Sequence, residues 1–422
     1  MTVDSALYPL ELGRAIDRTI AAPVMLSVVI PALNEEDGIA DIVRRIAAVG
    51  PALTAAGVER LEILVVDDGS TDRTAEIVEG LPQARLIRHP VNRGYGAAIK
   101  TGFNAARGQL LAFTDADGTY PPEAFPALCR AILDHDADVA VGSRRSGAES
   151  HMPMVRQVGN FMWSNLVSMI GNQRVADPAS GMRVLRRAAL AQLYPLPDGL
   201  NFTPVMSTRA VHESLRVAEV PIAYQERVGR SKLSVVRDGT KFLYTILWTS
   251  LEYNPARLLG AIGVAAMTIA VAVAVVIAGM RAQGITQLGP WGVFSVYAAM
   301  VLGVAGVSLF TLGATFNYLV SLFRKAPVRQ GLFGKPLFAQ PLDRQFWWIG
   351  LLAVAAGTVV GVGALGMGLT GWEMQRLWFW LLASALLVLI GVQLFISWIV
   401  MRVLEALSER EAEVSREMGG AG

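Results

Sequence analysis

The stretch "ILVVDDGSTDRT", residues 63–74, runs from an apolar segment straight into two aspartates, a Gly-Ser turn and a third aspartate at the start of a helical pattern. A short β-branched run bounded by turn residues reads as a buried strand. Asp72 has the chemistry of a helix N-cap. One cap explains one carboxylate and leaves Asp67 and Asp68 at the end of a strand with no structural task. The same strand, polar edge and helix recur on both sides of it. "LSVVIP" (26–31) leads into Asn34 and Glu35, and "ARLIRH" (84–89), "QLLAFTD" (109–115), "ADVAVGS" (137–143) and "RVAEVPI" (216–222) are further strands separated by helical stretches. This alternation predicts an α/β fold, a mostly parallel, doubly wound sheet with helices on both faces. In such folds ligands gather where strands end. Neither G-x-G-x-x-G nor G-x-x-x-x-G-K-[ST] stands at the first strand–helix turn, so Rossmann cofactor and P-loop readings lose their anchor.

Three clusters carry the chemistry. In "NRGYGAAIKTGFNAARG" (92–108), Gly94 and Gly96 permit close backbone approach, and a helix starting there turns Lys100 toward the sheet edge. In "FTDADGTYPPE" (113–123), Asp115 and Asp117 follow a strand. Carboxylates so close repel unless a cation lies between them, and hard oxygen ligands suit Mg²⁺ or Mn²⁺ held mainly through substrate phosphates. Arg144 and Arg145 of "VGSRRSG", Arg227, Arg230 and Lys232 of "ERVGRSKL", and Arg156 point to an anionic acceptor, because guanidinium forks match phosphate oxygens.

Composition adds a second environment. The 422 residues are 53% hydrophobic, with a mean hydropathy of +0.43, too apolar for a purely soluble protein. Spans are expected near 258–280, 298–320, 347–369 and 378–400. The loop between the middle two holds Arg324, Lys325, Arg329, Lys335 and Arg344 against Asp343, which assigns that loop, the N-terminal domain and the C-terminal tail to the cytoplasm. No cleaved signal peptide is read at the N-terminus. The net charge of +2 speaks against a nucleic-acid partner. Cys129 is the sole cysteine and there are four histidines, excluding an intramolecular disulfide and arguing against structural zinc. "KLSVVRDGTKFLYTILWTSLEYNP" (232–255) and "MVRQVGNFMWSNLVSMI" (154–170) read as amphipathic segments for a membrane surface, the first with Lys232, Arg237 and Lys241 at headgroup level. The expected domains are a tail (1–24), an α/β domain (25–230), a juxtamembrane segment (231–256), four transmembrane helices (257–400) and a cytoplasmic tail (401–422). No internal repeat is read.

In order along the chain, "VVIPALNEE", "VVDDGSTD", "NRGYGAAIKTGF", "TDADGTYPPE", "VGSR", "DPASGMR" and "GRSKL" resemble the family 2 glycosyltransferases of the polyprenyl-phosphate hexosyltransferase type, over residues 25 to about 250. The resemblance implies a GT-A fold, a nucleotide-diphospho-sugar donor of the UDP-glucose or GDP-mannose class, Mg²⁺ or Mn²⁺, and a polyprenyl phosphate acceptor, undecaprenyl or dolichyl, at the cytosolic leaflet of the plasma membrane. Pro31, Asn34, Glu35, Asp67, Asp68, Lys100 and Asp115 would contact the donor, Asp115 and Asp117 would hold the metal, and Arg144, Arg156, Arg227, Arg230 and Lys232 would bind the acceptor phosphate. Asp117 and Asp177 would be the catalytic pair, with Asp177 beside the reacting centre. Two departures stand out: Thr119 replaces a glutamine that many relatives use as a metal ligand, and "ERVGRSKL" lacks the acid that often precedes the serine and lysine. The implied reaction is inverting hexosyl transfer for cell-envelope glycan synthesis, with a homo-oligomer open. The rivals are a processive polysaccharide synthase, whose Q-x-x-R-W signature is missing, and a lipid-linked sugar flippase that only binds nucleotide sugars.

Overall fold

The apolar run at 26–30 forms an inner strand of a sheet whose two faces are both covered, as its unbroken hydrophobicity requires. A computed structural model of the chain describes residues 23–144, 175–223, 235–285, 287–324, 342–372 and 374–419, together with 20, 159, 161–165 and 167–168. Two compact units divide it, Met1–Thr249 and Ser250–Gly422.

In the first unit, β1 (Met25–Ala32), β2 (Arg60–Asp67), β3 (Ala84–Arg88), β4 (Leu110–Phe113), β5 (Val139–Ser143), β6 (Arg183–Arg186) and β7 (Val217–Pro221) form one sheet in the order β3-β2-β1-β4-β6-β5-β7. Successive β1 side chains point to opposite faces. Leu26, Val28 and Ile30 pack with α1 (Ile39–Ala48), α2 (Gly50–Ala55) and α5 (Phe125–Leu133). Val29 packs on the other face with α4 (Tyr95–Ala105) and α7 (Phe202–His212), beside the short α6 (Leu190–Leu193). α1 buries Ile39, Ile42, Val43 and Ile46, a one-sided helical stripe in which each side chain contributes about 1.5–3 kcal/mol. α3 (Thr74–Glu79) follows the DDGSTD turn. Cys129 is fully buried, and burial pushes its thiol up to about 12, so it is an inert core residue.

One strand has no counterpart in the sequence reading. β6, "RVLR", is antiparallel to both β4 and β5, and its arginines mask its strand character. Arg183 is fully buried and Arg186 nearly so. Backbone carbonyls solvate them: Arg183 donates to the oxygens of Pro178, Ser180 and Thr203, and Arg186 to those of Ile132 and Ala137, with Asp136 pairing with Arg186 at 3.2 Å and the Asp177 charge near Arg183. Burial lowers the Arg183 pKa to about 10, which still leaves it charged at neutral pH.

α8 (Val235–Tyr253) covers most of the expected juxtamembrane segment, with Leu243, Tyr244 and Trp248 exposed and Ile246 buried. The second unit contains α9 (Pro255–Ala282), α10 (Pro290–Arg324), α11 (Phe346–Leu369) and α12 (Met374–Gly419). Four spans in it are long and apolar enough to cross a membrane, Pro255–Ala282, Pro290–Val320, Leu342–Leu369 and Leu377–Leu407. They overlap the four expected ones and extend beyond them, because helix continues into the polar flanks.

Candidate active site

β1, β2 and β4 are parallel neighbours, so Asn34 and Glu35, Asp67 and Asp68, and Asp115 and Asp117 emerge at one edge of the sheet. β6 runs the other way, so the segment leading into it, 175–182, arrives at that same edge. Arg144 leaves it at the end of β5. Antiparallel β6 is therefore what brings Asp177 to the site.

The DDGSTD turn is tied to the end of β1. Asn34, in the left-handed region at φ 51°, accepts from the Thr71 amide at 2.8 Å and donates its own amide to Ser70 Oγ at 2.9 Å. The Glu35 amide donates to Thr74 Oγ1 at 2.9 Å. Asp72 accepts from the Thr74 amide and hydroxyl and from the Glu36 amide. Burial pushes its carboxyl up, but these hydrogen bonds outweigh burial and hold it below the ordinary range. Asp68 ties down the next loop: it accepts from His89 Nδ1 at 2.7 Å and from the Arg93 and Gly94 amides at 2.9 and 2.8 Å. Asp67 differs from its neighbour. Its Oδ1 accepts from the Ser70 amide, Arg88 Nε lies 3.4 Å from Oδ2, and Oδ2 is buried without a hydrogen-bond partner. Arg88 offsets the charge of that oxygen, and its hydrogen-bonding capacity is unfilled among the described residues. Pro31 is buried in β1 opposite Val66.

The glycines of α4 make their close approach to the protein itself. The Gly96 and Ala97 amides donate to Asp198 O at 2.7 and 3.1 Å, and a Cβ on Gly96 would lie 2.1 Å from Pro197 O. Lys100 Nζ donates to Leu196 O at 2.8 Å and pairs with Asp198 at 2.5 Å. Lys100 thus braces the 196–198 segment against α4.

Asp115 and Asp117 are both partly exposed, at the end of β4. Tyr95 OH donates to Asp115 Oδ1 at 2.7 Å, and Gly181 lies against Oδ2, where an added Cβ would approach to 2.6 Å. Burial and then the Asp115 charge push the Tyr95 phenol well above its usual range, so it stays a hydrogen-bond donor. Thr119 donates its amide and hydroxyl to Asp117 Oδ1 at 3.2 and 2.6 Å. Tyr120 OH accepts from the Gly181 amide at 2.7 Å. These contacts orient each carboxylate through one oxygen or one side. No group of three or more His, Cys, Asp or Glu is placed to hold a metal ion among the described residues. Two partly exposed hard-oxygen donors, one set against a side-chain-free wall, fit a divalent cation that takes most of its ligands from phosphate and water.

Across the same edge, Arg144 donates to Asp177 through Nε and Nη2, both at 2.7 Å, and through its backbone amide at 3.0 Å. Asp177 is fully buried. Glu219 on β7 accepts from the Ala176 and Asp177 amides at 2.7 and 3.0 Å, fixing the backbone that carries Asp177. Arg144 also lies 5.9 Å from the Tyr120 ring centroid. Arg145, Arg156, Arg227, Arg230 and Lys232 lie outside the described residues. Tyr95, Tyr120, Gly181, Arg183 and Glu219 were not singled out from sequence, although Tyr95, Tyr120 and Gly181 stand inside motifs quoted above. Arg183 also stands there, as the last residue of "DPASGMR".

A model described as glycosyl transferase family 2 matches residues 27–194, and one described as a domain of unknown function matches residues 255–415. The chain is 32% identical over 298 residues to the low-salt glycan biosynthesis hexosyltransferase of Haloferax volcanii, covering 68% of this chain and 67% of that one. It is 28% identical over 314 residues to the undecaprenyl-phosphate 4-deoxy-4-formamido-L-arabinose transferase of Edwardsiella ictaluri, covering 73% and 92%. Among solved structures, glucosyl-3-phosphoglycerate synthase of M. tuberculosis matches with 23% identity and a TM-score of 0.44, covering 54% of this chain and 81% of that one.

Proposed function

The chain belongs to glycosyl transferase family 2, and from that premise we propose that it moves a hexose from a nucleotide-diphospho-sugar to a polyprenyl phosphate at the cytoplasmic face of a membrane. The observation that carries this reading is the pair Asp115 and Asp117, partly exposed at the centre of the sheet edge, with Arg144 across the same edge. With a divalent cation held at that pair, the anionic donor and the anionic acceptor would each meet a source of positive charge. The four apolar spans and the relative named for undecaprenyl phosphate support a lipid acceptor.

In this reading Asp67, ion-paired with Arg88, uses the remaining hydrogen-bonding capacity of Oδ2 to accept from the base or ribose of the donor, and Asp115 and Asp117 face its diphosphate. A bound Mg²⁺ or Mn²⁺ supplies charge that offsets the negative charge building on the leaving diphosphate. Tyr95 and Thr119 keep the two carboxylates oriented. The acceptor phosphate has a second pKa of about 6, so near neutrality its oxygen is already an anion and needs no strong base. Arg144, a fork with donors in two directions, binds that phosphate while staying near Asp177. Attack in line with the leaving group forms a C1–O bond to the acceptor, breaks the C1–O bond to the diphosphate and inverts the anomeric centre. Arg145, Arg156, Arg227, Arg230 and Lys232 supply further charge to the acceptor.

The test is incubation of the full chain in lipid nanodiscs with radiolabelled UDP-glucose or GDP-mannose, Mn²⁺ and undecaprenyl or dolichyl phosphate. Label should enter the lipid phase with one of the donors. Hydrolysis of the donor with no labelled lipid from either donor would refute the acceptor class.

A further inference from the structure

The second unit repeats itself. Gly263, Met267 and Gly284 of the first half match Gly350, Val354 and Gly371 at 87 residues on, and Gly306 and Phe310 match Gly391 and Phe395 at 85 residues on, the connection between the helices being two residues shorter in the second half. A succession of apolar helices alone would be weak support, since such helices are common. The packing within each pair is more specific. A Cβ on Gly263 of α9 would lie 2.5 Å from Gly306 O and 2.8 Å from Phe310 N of α10. At the matching place, a Cβ on Gly350 of α11 would lie 2.7 Å from Gly391 O and 3.2 Å from Phe395 N of α12. The contact is reciprocal in both pairs: Gly306 meets Gly263 O and Met267 N, and Gly391 meets Gly350 O and Val354 N. Around these glycines the second helices read "GVSLF" (306–310) and "GVQLF" (391–395).

The first helices also end alike. Gly284 and Gly371 have φ of 86° and 96°, the left-handed C-terminal cap that glycine adopts without penalty. The closing bonds match, Ile285 N to Met280 O at 3.0 Å and Trp372 N to Met367 O at 3.1 Å. The reciprocal glycine contacts and the helix caps therefore match between the two pairs. Contrary to the expectation of no internal repeat, we infer that the membrane unit is a tandem pair of one helical hairpin, α9–α10 and α11–α12.

The halves differ where they are joined. Tyr318 of the first hairpin donates to Asp343 at the start of the second, and Arg402 donates to Asp343 Oδ2 at 2.7 Å and to Tyr318 OH at 3.3 Å. By the helix registers above, the counterparts of Asp343 and Arg402 in the first hairpin are Ala256 and Asn317, so the contact has no second copy. In an apolar surrounding, a polar contact of this kind fixes one partner arrangement among several that packing alone allows. It clasps one module to the other. Farther along, Gly303 of α10 faces Leu386 of α12, with an added Cβ at 3.6 Å.

The test uses the full chain with Cys129→Ala. One cysteine pair, Gly303→Cys with Leu386→Cys, reports contact between hairpins; another, Gly357→Cys with Val388→Cys, reports contact within the second hairpin. Arg402→Asn, which installs the first hairpin's residue, should lower oxidative cross-linking of the between-hairpin pair about tenfold, the order set by losing a charge-assisted hydrogen bond, and leave the within-hairpin pair unchanged. Equal loss in both pairs, or in neither, would overturn the two-module reading. Gly306→Leu and Gly391→Leu should each reduce the within-hairpin contact of their own hairpin only, the first read by Ala270→Cys with Gly303→Cys. If either substitution opens both hairpins, the repeat units are not independent and the inference fails. None of these readouts depends on transfer activity.

Discussion

Gly181→Ala puts one methyl group against the carboxylate on which the proposed reaction turns. Its Cβ would stand 2.6 Å from Asp115 Oδ2 and 3.0 Å from Cγ, where real Cβ atoms essentially never come within 3.0 Å. Something must therefore move by at least 0.4 Å. Gly181 is held by its amide bond to Tyr120 OH, and Asp115 by Tyr95 OH at 2.7 Å, so the carboxylate is displaced against its own hydrogen bond. Metal–oxygen bonds to Mg²⁺ are about 2.0–2.1 Å with little tolerance, so a shift of that size removes Asp115 from a productive position. Affinity for Mn²⁺ in the presence of UDP or GDP should fall at least about tenfold, or ~1.4 kcal/mol. Overpacking should also lower stability by about 1–3 kcal/mol. Titration calorimetry of Mn²⁺ with the nucleoside diphosphate reads the first effect, and thermal unfolding of the ligand-free chain reads the second. A destabilised variant that binds Mn²⁺ and nucleoside diphosphate as tightly as the parent would refute the placement of the ion at Asp115.

Asp117→Ala should reduce transfer by at least about a hundredfold, the scale of losing a group that stabilises developing charge; recovery at saturating Mn²⁺ would show that Asp117 only tunes affinity. Arg144→Lys keeps a cation but loses the planar fork, so KM for the lipid phosphate should rise and the melting temperature fall; an unchanged KM would remove Arg144 from the acceptor site. Burial, together with the nearby Asp177 charge, holds Glu219 above its usual range against the two amide bonds it accepts. A raised folded-state pKa stabilises the fold below the unfolded pKa, and that contribution is lost as pH rises through the folded value. Glu219→Gln keeps the acceptor oxygen and does not titrate, so its melting temperature relative to the parent should climb between about pH 4 and pH 7; a constant difference across that range would count against the buried-charge account.

Much of the edge chemistry was readable because strands and turns are local. The β-branched runs at 26–31, 62–67 and 109–115 announced β1, β2 and β4, and carboxylates after such runs project from a sheet edge whichever way the rest folds. β6 was hidden because a four-residue strand with arginine at both ends looks polar; the carbonyls of Pro178, Ser180, Thr203, Ile132 and Ala137, with the carboxylates of Asp136 and Asp177, make its burial tolerable, and no local pattern foretells them. Lys100 appeared to face a ligand because its own helix allowed it. The 196–198 segment that captures it lies nearly a hundred residues away in the chain. The hairpin repeat escaped for a different reason, since apolar side chains facing lipid are interchangeable and only the glycine contacts and caps preserve its register.

What the amino-acid order alone determined was the inventory: an α/β unit with acids at its strand ends, a pair of metal-suited carboxylates and four spans able to cross a bilayer, all consequences of periodicity, side-chain charge and length. What only the tertiary structure decided was allocation. Of the acids at the edge, Asp68 is tied to His89 and two loop amides, Asp72 to Thr74 and Glu36, Asp177 to Arg144, and Asp67 is ion-paired with Arg88 but keeps hydrogen-bonding capacity on Oδ2, because that capacity is consumed by whichever donors the fold brings close, and several of them come from segments far along the chain.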